Sequence, residues 1–295
     1  MIYISRYYPK IKLPFAYLKL LKAYFNFFDH FTINMRNPDY LNFFKLGGYQ
    51  RELSELKNKH KGERCFIIGN GPSLSKMDLS FLKDEITIGS NNIYKLFKKN
   101  SLKLDYLVFE DVEQAEIRGA EVSKLNDMSI ICPLHSAHSF SFMNRILFYY
   151  IPRVKRGHSY YSEKPIYPQF SEDFAAIAHI GYTVTYIIMQ LAFHLGFSEI
   201  YLIGIDHDYG QLPKLFPPGK IKITNENYEL VKKCHFDENY YRIGDVIGVP
   251  WVEKQNMAYQ KAREVFERNN IIIKNAGIDS KLETFDKVNL SEILN

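Results

Sequence analysis

Cysteine is scarce: Cys65, Cys132 and Cys234 are the only three, and they lie far apart. Such spacing supports neither a disulfide framework nor a zinc site, and it fits the reducing cytoplasm. Uncharged apolar runs of eighteen or more residues are missing, so no membrane-spanning helix is expected. The opening stretch, MIYISRYYPKIKLPF, has no apolar centre and no small-residue cleavage site, so a secretory signal is not expected either. No internal repeat is visible. What is there is an ordinary globular balance over 295 residues, 46% hydrophobic and 24% charged. That excludes a wholly disordered, collagen-like or coiled-coil chain and leaves room for a full core.

The net charge of +5 is unevenly spread. Residues 1–60 carry ten Lys/Arg and four acids, which leaves the other 235 residues at −1. A near-neutral body argues against a broad nucleic-acid surface, whose affinity would rest on phosphate neutralisation. Two parts are therefore expected: a basic aromatic helical extension over 1–60 and a catalytic body over 61–295. Fourteen aromatics fall in the first fifty residues. Leu18, Leu21, Tyr24, Phe25 and Phe28 recur near helical spacing, with Lys19 and Lys22 off the stripe. Such a helix rests on an anionic membrane surface or packs its stripe on the body.

The body reads as alternating strands and helices. CFIIG (65–69) is a short apolar run, followed by Asn70-Gly71-Pro72-Ser73-Leu74 and a helical pattern. Gly69 and Gly71 permit close backbone approach to a ligand, Pro72 fits a first helical turn, and Ser73 can cap it or bond an anion. Free N–H groups at a helix start attract phosphate, so this loop is expected to bind a nucleotide, although it is neither GxGxxG nor a Walker A loop. A second strand, 86–90, ends in Asn91-Asn92, whose amides can read a base or sugar edge. A third, 105–109, ends in Glu110-Asp111, acids suited to a metal, to sugar hydroxyls or to capping the next helix.

Residues 132–172 and 211–250 read as loop-rich insertions, lids over a cleft; the first holds the basic cluster 153–156, the second His235, Asp237, Tyr240 and Tyr241. Thr183 and Thr185 open an apolar helix and can cap it or touch a ligand phosphate; His194, further along, reads as a packed core residue. The strand 200–204 ends in Asp206-His207-Asp208. Two carboxylates and an imidazole there can hold Mg²⁺ with substrate phosphates, or do acid–base chemistry. A helix over 252–269 and a strand over 271–273 complete the pattern.

HKGERCFIIGNGPSL, the Ser90-Asn91-Asn92 strand end, GYTVTYIIMQLAFHLGF, YLIGIDHDY and HFDENYY together resemble the MptE-like domain family, which includes pterin diphosphokinases and flagellin-modifying proteins. The body is also similar to the small bacterial sialyltransferases that use CMP-sialic acid. The resemblance implies an α/β, Rossmann-like, mostly parallel sheet with helices on both faces and lid insertions. It implies that Gly69, Asn70, Gly71, Ser73 and Asn91 hold the CMP portion. It further implies an inverting, metal-independent transfer, with a histidine base (His235 or His207) and tyrosines steadying the leaving phosphate (Tyr209, Tyr240 or Tyr241).

The function this implies is transfer of a nonulosonic-acid (sialic-acid-like) sugar from a CMP donor to a cell-surface glycan or lipid-linked acceptor, without a metal cofactor. The alternative is an ATP-using diphosphokinase in which Glu110, Asp111, Asp206 and Asp208 carry Mg²⁺. A peripheral position on the inner membrane face follows from the basic extension. Deleting the aromatic stripe at 14–34 should then reduce co-sedimentation with anionic vesicles while nucleotide binding persists; unchanged sedimentation would count against the membrane reading.

Overall fold

The computed structural model describes residues 48–140, 146–151 and 168–294. The aromatic stripe at 14–34 and the basic cluster at 153–156 lie outside the described residues.

Nine strands are present among these: β1 (Arg64–Ile68), β2 (Ile86–Ser90), β3 (Tyr106–Val108), β4 (Ser129–Pro133), β5 (Ile146–Tyr149), β6 (Glu199–Ile203), β7 (Gly219–Lys222), β8 (Val246–Val249) and β9 (Ile272–Asn275). Seven form one parallel sheet in the order β5-β4-β3-β2-β1-β6-β9, and β7 and β8 pair as a separate antiparallel ribbon. The helices are α1 (Gly48–Glu55), α2 (Ile93–Lys99), α3 (Val112–Val122), α4 (Val184–Leu195), α5 (Leu212–Leu215), α6 (Tyr228–Lys232), α7 (Val252–Arg268) and α8 (Leu290–Ile293). This is the expected Rossmann-like α/β fold. None of the described helices is long and apolar enough to cross a membrane.

The centres of the sheet strands are mainly apolar because both sheet faces are covered. Side chains alternate between faces: Cys65 and Ile67 of β1 join one core with α4 and α7, while Phe66 and Ile68 join the other with α2 and α3. Thr183 caps α4, its side chain accepting from the Thr185 N–H at 3.3 Å, and Gly196 ends the helix in a left-handed turn. His194 is buried on α4 and bonds the Leu53 carbonyl at 2.8 Å, a core role as its position on an apolar helix implies.

Two stretches differ from expectation. Residues 132–172 are not wholly irregular, because Ile146-Leu147-Phe148-Tyr149 pairs with β4 as an edge strand. The reason is burial: Phe148 and Tyr149 are fully covered, and the Tyr149 hydroxyl donates to the Phe109 carbonyl at 2.7 Å. Likewise 211–250 is not only loop, since it contains the β7–β8 ribbon, α5 and α6 around a small core of Leu212, Ile223, Val231 and Ile247.

The strand order reverses at β1, which has β2 on one side and β6 on the other. Such a switch point opens a crevice outside the carboxyl ends of the strands. Here the two loops leaving β1 and β6 touch. The Gly69 N–H donates to the Ile203 carbonyl at 2.9 Å and the Gly71 N–H to that of Gly204 at 2.8 Å. A Cβ on Gly69 would lie 2.2 Å from the Gly204 oxygen, which is backbone and cannot swing away. Gly69→Ala should therefore destabilise the fold by about 1–3 kcal/mol, read as a lower urea midpoint at unchanged slope.

Candidate active site

The glycine loop after β1 runs into a five-residue 3-10 turn, Pro72–Lys76, rather than an α-helix. Its amides are, with one exception, not free. Besides the Gly69 and Gly71 bonds, the Ser73 N–H donates to the Asp206 carboxylate at 2.8 Å, and the Ser73 hydroxyl donates to its other oxygen. Both residues are buried. The expectation of bare N–H groups awaiting a phosphate is thus corrected: the protein's own carboxylate occupies the position. Gly71 is required because a Cβ there would lie 2.5 Å from the Asp206 carboxyl carbon. The Asn70 amide is the one in the bend without a partner among the described residues.

Beside this junction the ends of β1, β2 and β3 carry a polar cluster. The Asn70 side chain donates to the Ser90 carbonyl at 3.2 Å and hydroxyl at 3.0 Å. Asn91 follows directly in a left-handed conformation, φ 52°. The carbonyl oxygens of both asparagine side chains are buried without a partner. Asn92 is also buried and accepts from Arg118 of α3. Asp111 caps α3, accepting from the Glu113 N–H at 3.0 Å, so the capping option is realised. Burial and the neighbouring Glu113 carboxyl push Asp111 up to about 8. Glu113 is desolvated too, yet hydrogen bonds from Asp111 and Lys220 hold it well below the usual carboxylate range.

Segment 234–241 lies over these strand ends. The Phe236 N–H donates to the Asn70 carbonyl at 3.0 Å. The His235 ring stacks on Tyr240, with centroids 4.1 Å apart, and meets the edge of Tyr241 at 5.2 Å. Gln114 donates to the Tyr241 hydroxyl at 3.2 Å. The second insertion therefore covers the strand ends, as a lid would. An open groove of about 660 Å³ lies beside the lid, between the Pro72–Lys76 turn, α2 and residues 236–239.

A second cluster gathers past β6. His207 has φ 52°, and Tyr182, which like it meets α7, has φ 62°. Bulky residues in that region are strained, and such strain concentrates at functional sites. His207 Nε2 bonds the Asn256 side-chain oxygen at 2.7 Å, so this nitrogen carries the proton, while Nδ1 is buried without a partner. The Tyr209 hydroxyl donates to Gln255 at 2.9 Å, and Gln255 donates to the Tyr182 carbonyl at 2.9 Å. The Tyr259 hydroxyl lies against the side chains of Thr183 and Thr185.

The alternative magnesium set is not brought together. Asp206 is held by Ser73; Asp208 pairs with Lys281 at 2.7 Å and accepts from the Gly210 N–H; Asp111 caps α3. No group of three or more His, Cys, Asp or Glu among the described residues is placed to hold a metal. Asp111, Asp206 and Asp208 are thus each engaged by a separate partner.

Two sets of residues escaped the sequence reading. Arg118 and Gln114 lie on α3, and the signal was present: Ala115, Arg118, Gly119 and Val122 form the buried stripe, with a cation inside it. Gln255 and Asn256 on α7 carried no such signal, because only the fold brings them to His207.

A Rossmann-like sheet with polar side chains gathered at its carboxyl edge is an architecture whose ligands bind in the crevice outside the strand ends. Residues 42–211 match the model of the family described as 6-hydroxymethylpterin diphosphokinase MptE-like. The chain belongs to the MptE-like family. Among curated proteins none matches it. A solved structure, the MAf glycosyltransferase from Magnetospirillum magneticum AMB-1, is similar at 15% identity and a TM-score of 0.47, covering 81% of this chain; the chain spans 38% of that protein's length.

Burial pushes His235 down to about 4, below the ordinary 6.5. A histidine depressed on folding contributes stability that is complete above the unfolded value and is lost as pH falls from about 6.5 towards 4, at up to about 1.4 kcal/mol per pH unit. Denaturation midpoints should therefore drop on acidification through that window, and His235→Gln should flatten the slope by about one proton; an unchanged slope would contradict the buried neutral ring.

Proposed function

We propose that the protein is a glycosyltransferase that moves a nonulosonic-acid sugar from a CMP donor to a cell-surface glycan or glycoconjugate acceptor. The observation carrying this reading is the pair of buried, unpartnered carbonyl oxygens on Asn70 and Asn91, side by side on adjacent strand ends. An unsatisfied buried acceptor costs free energy, so a ligand donor belongs there. A cytosine amino group or ribose hydroxyls supply such donors. Membership of the MptE-like family and the position at the sheet's switch point support a nucleotide in this place.

In the transfer, the acceptor hydroxyl oxygen bonds to the anomeric carbon as the bond from that carbon to the CMP phosphate oxygen breaks. The pair of electrons leaves with CMP, and the acceptor proton passes to a base. His207 suits the base role better than His235. Its Nε2–H is fixed by Asn256, which leaves the Nδ1 lone pair to accept the proton. Burial lowers both imidazoles, but His235 falls to about 4, a weak base at neutral pH, and is clamped between tyrosines. The Tyr209 phenol, kept protonated by burial, is a donor that can turn from Gln255 to the leaving phosphate. The lid carrying Tyr240 and Tyr241 has to lift for the donor to enter. The extension over 1–60 would hold the enzyme beside lipid-linked acceptors.

CMP at about a hundred times its Kd, with a chelator present, should raise the melting temperature by several degrees. A rise only with ATP and Mg²⁺ would replace this reading with the diphosphokinase one. His207→Gln should lower donor turnover by about 10²–10⁴-fold at neutral pH while CMP still binds; His235→Gln should lower it less. The reverse ranking would move the base to His235.

A further inference from the structure

Arg118 sits in the buried stripe of α3, only 4% exposed. A guanidinium in such surroundings is costly unless a negative charge faces it. No described carboxylate pairs with it. Its hydrogen-bond partners are neutral: Nε donates to the Asn92 side chain, and Nη2 donates to the Tyr240 carbonyl at 3.0 Å. The Tyr240 ring lies 5.3 Å from the guanidinium carbon, and Nη1 is buried with no partner at all. Asp111, also near the lid tyrosines, is raised by burial towards its neutral form and does not supply the missing charge.

We propose that Arg118 is the oxyanion receptor of the donor site, binding the nucleotide phosphate or the sugar carboxylate through its fork. This rests on the nucleotide-sugar reading above and adds to it the residue that recognises the charged part of the donor. The Tyr240 carbonyl now fills one of the fork's positions as a neutral substitute. An arriving oxyanion replaces it and simultaneously satisfies Nη1, so anion binding and lifting of the 234–241 segment are one event. Guanidinium pairs with planar or tetrahedral oxyanions through two parallel N–H bonds, which a lysine cannot reproduce.

The test compares cytidine, CMP and a CMP-sugar as ligands of the full chain and of Arg118→Gln, by calorimetry. A loss of about 10- to 100-fold in CMP affinity with cytidine unaffected assigns Arg118 to the phosphate. A loss confined to the CMP-sugar, with CMP unaffected, assigns it to the sugar carboxylate. Equal affinities in both proteins for all three ligands overturn the proposal while leaving the nucleotide reading intact. If the unaltered protein binds none of the three, both fall together. Should Arg118→Gln fail to fold, Arg118→Lys keeps the charge and loses the fork. Its preference for CMP over cytidine, or for CMP-sugar over CMP, should then narrow, and unchanged preferences overturn the proposal.

Discussion

The Asp206 carboxylate accepts both the amide and the hydroxyl proton of Ser73, and so clasps the loop after β1 to the loop after β6 where the sheet reverses direction. Much else follows from that contact. It requires glycine at 71, because any side chain would enter the carboxylate. It uses amides that would otherwise attract phosphate. It also sets His207 one residue beyond a fixed anchor, in a left-handed conformation that only a well-held backbone sustains. The lysine in contact with Asp208, one residue further, continues the anchoring on the outer side.

With the glycine bend occupied from within, the ligand recognition we propose falls to its neighbours. The strand-end amides of β1 and β2, the buried cation on α3 and the aromatic lid form one polar layer, in which the partners still missing are acceptors on Asn70 and Asn91 and a donor on Arg118. That mixture suits a molecule with amino or hydroxyl groups at one end and an oxyanion at the other. In this structure segment 234–241 supplies partners that the proposed lifting would release: the Tyr240 carbonyl for Arg118 and its hydroxyl for Asn91. Closing therefore costs little, because most of the layer remains hydrogen-bonded. The tyrosine and histidine rings stack on each other and so keep water out of it.

Much of the fold was legible in the sequence. The strands 65–69, 86–90 and 200–204 are short isoleucine-rich runs ending at glycine or before asparagine, and each falls within one residue of its observed position. Thr183 read as a cap or a ligand contact, and it caps; His194, on an apolar helix, read as core and is core. The edge strand Ile146–Tyr149 was obscured by the prolines and histidines around it, which mark a loop more strongly than four apolar residues mark a strand. At the site, Asn70, Asn91 and Asp206 could be found because they follow strands, and strand ends share an edge. Arg118 looked like one more surface charge on a helix unless its neighbours at helical spacing were counted.

Composition and local pattern, then, were sufficient for the class of fold, for the strand ends that carry the polar groups, and for the glycine positions. These depend on short-range sterics and on hydrophobic periodicity, both of which are written in consecutive residues. Tertiary structure alone decided what each polar group faces: Ser73 meets Asp206 across 133 positions, His207 meets Asn256 across 49, and Arg118 meets Tyr240 across 122. Whether an amide is free or already bonded depends on such distant partners, and no local pattern encodes them, because a hydrogen bond is specified by the packing that brings its two ends within 3 Å or so.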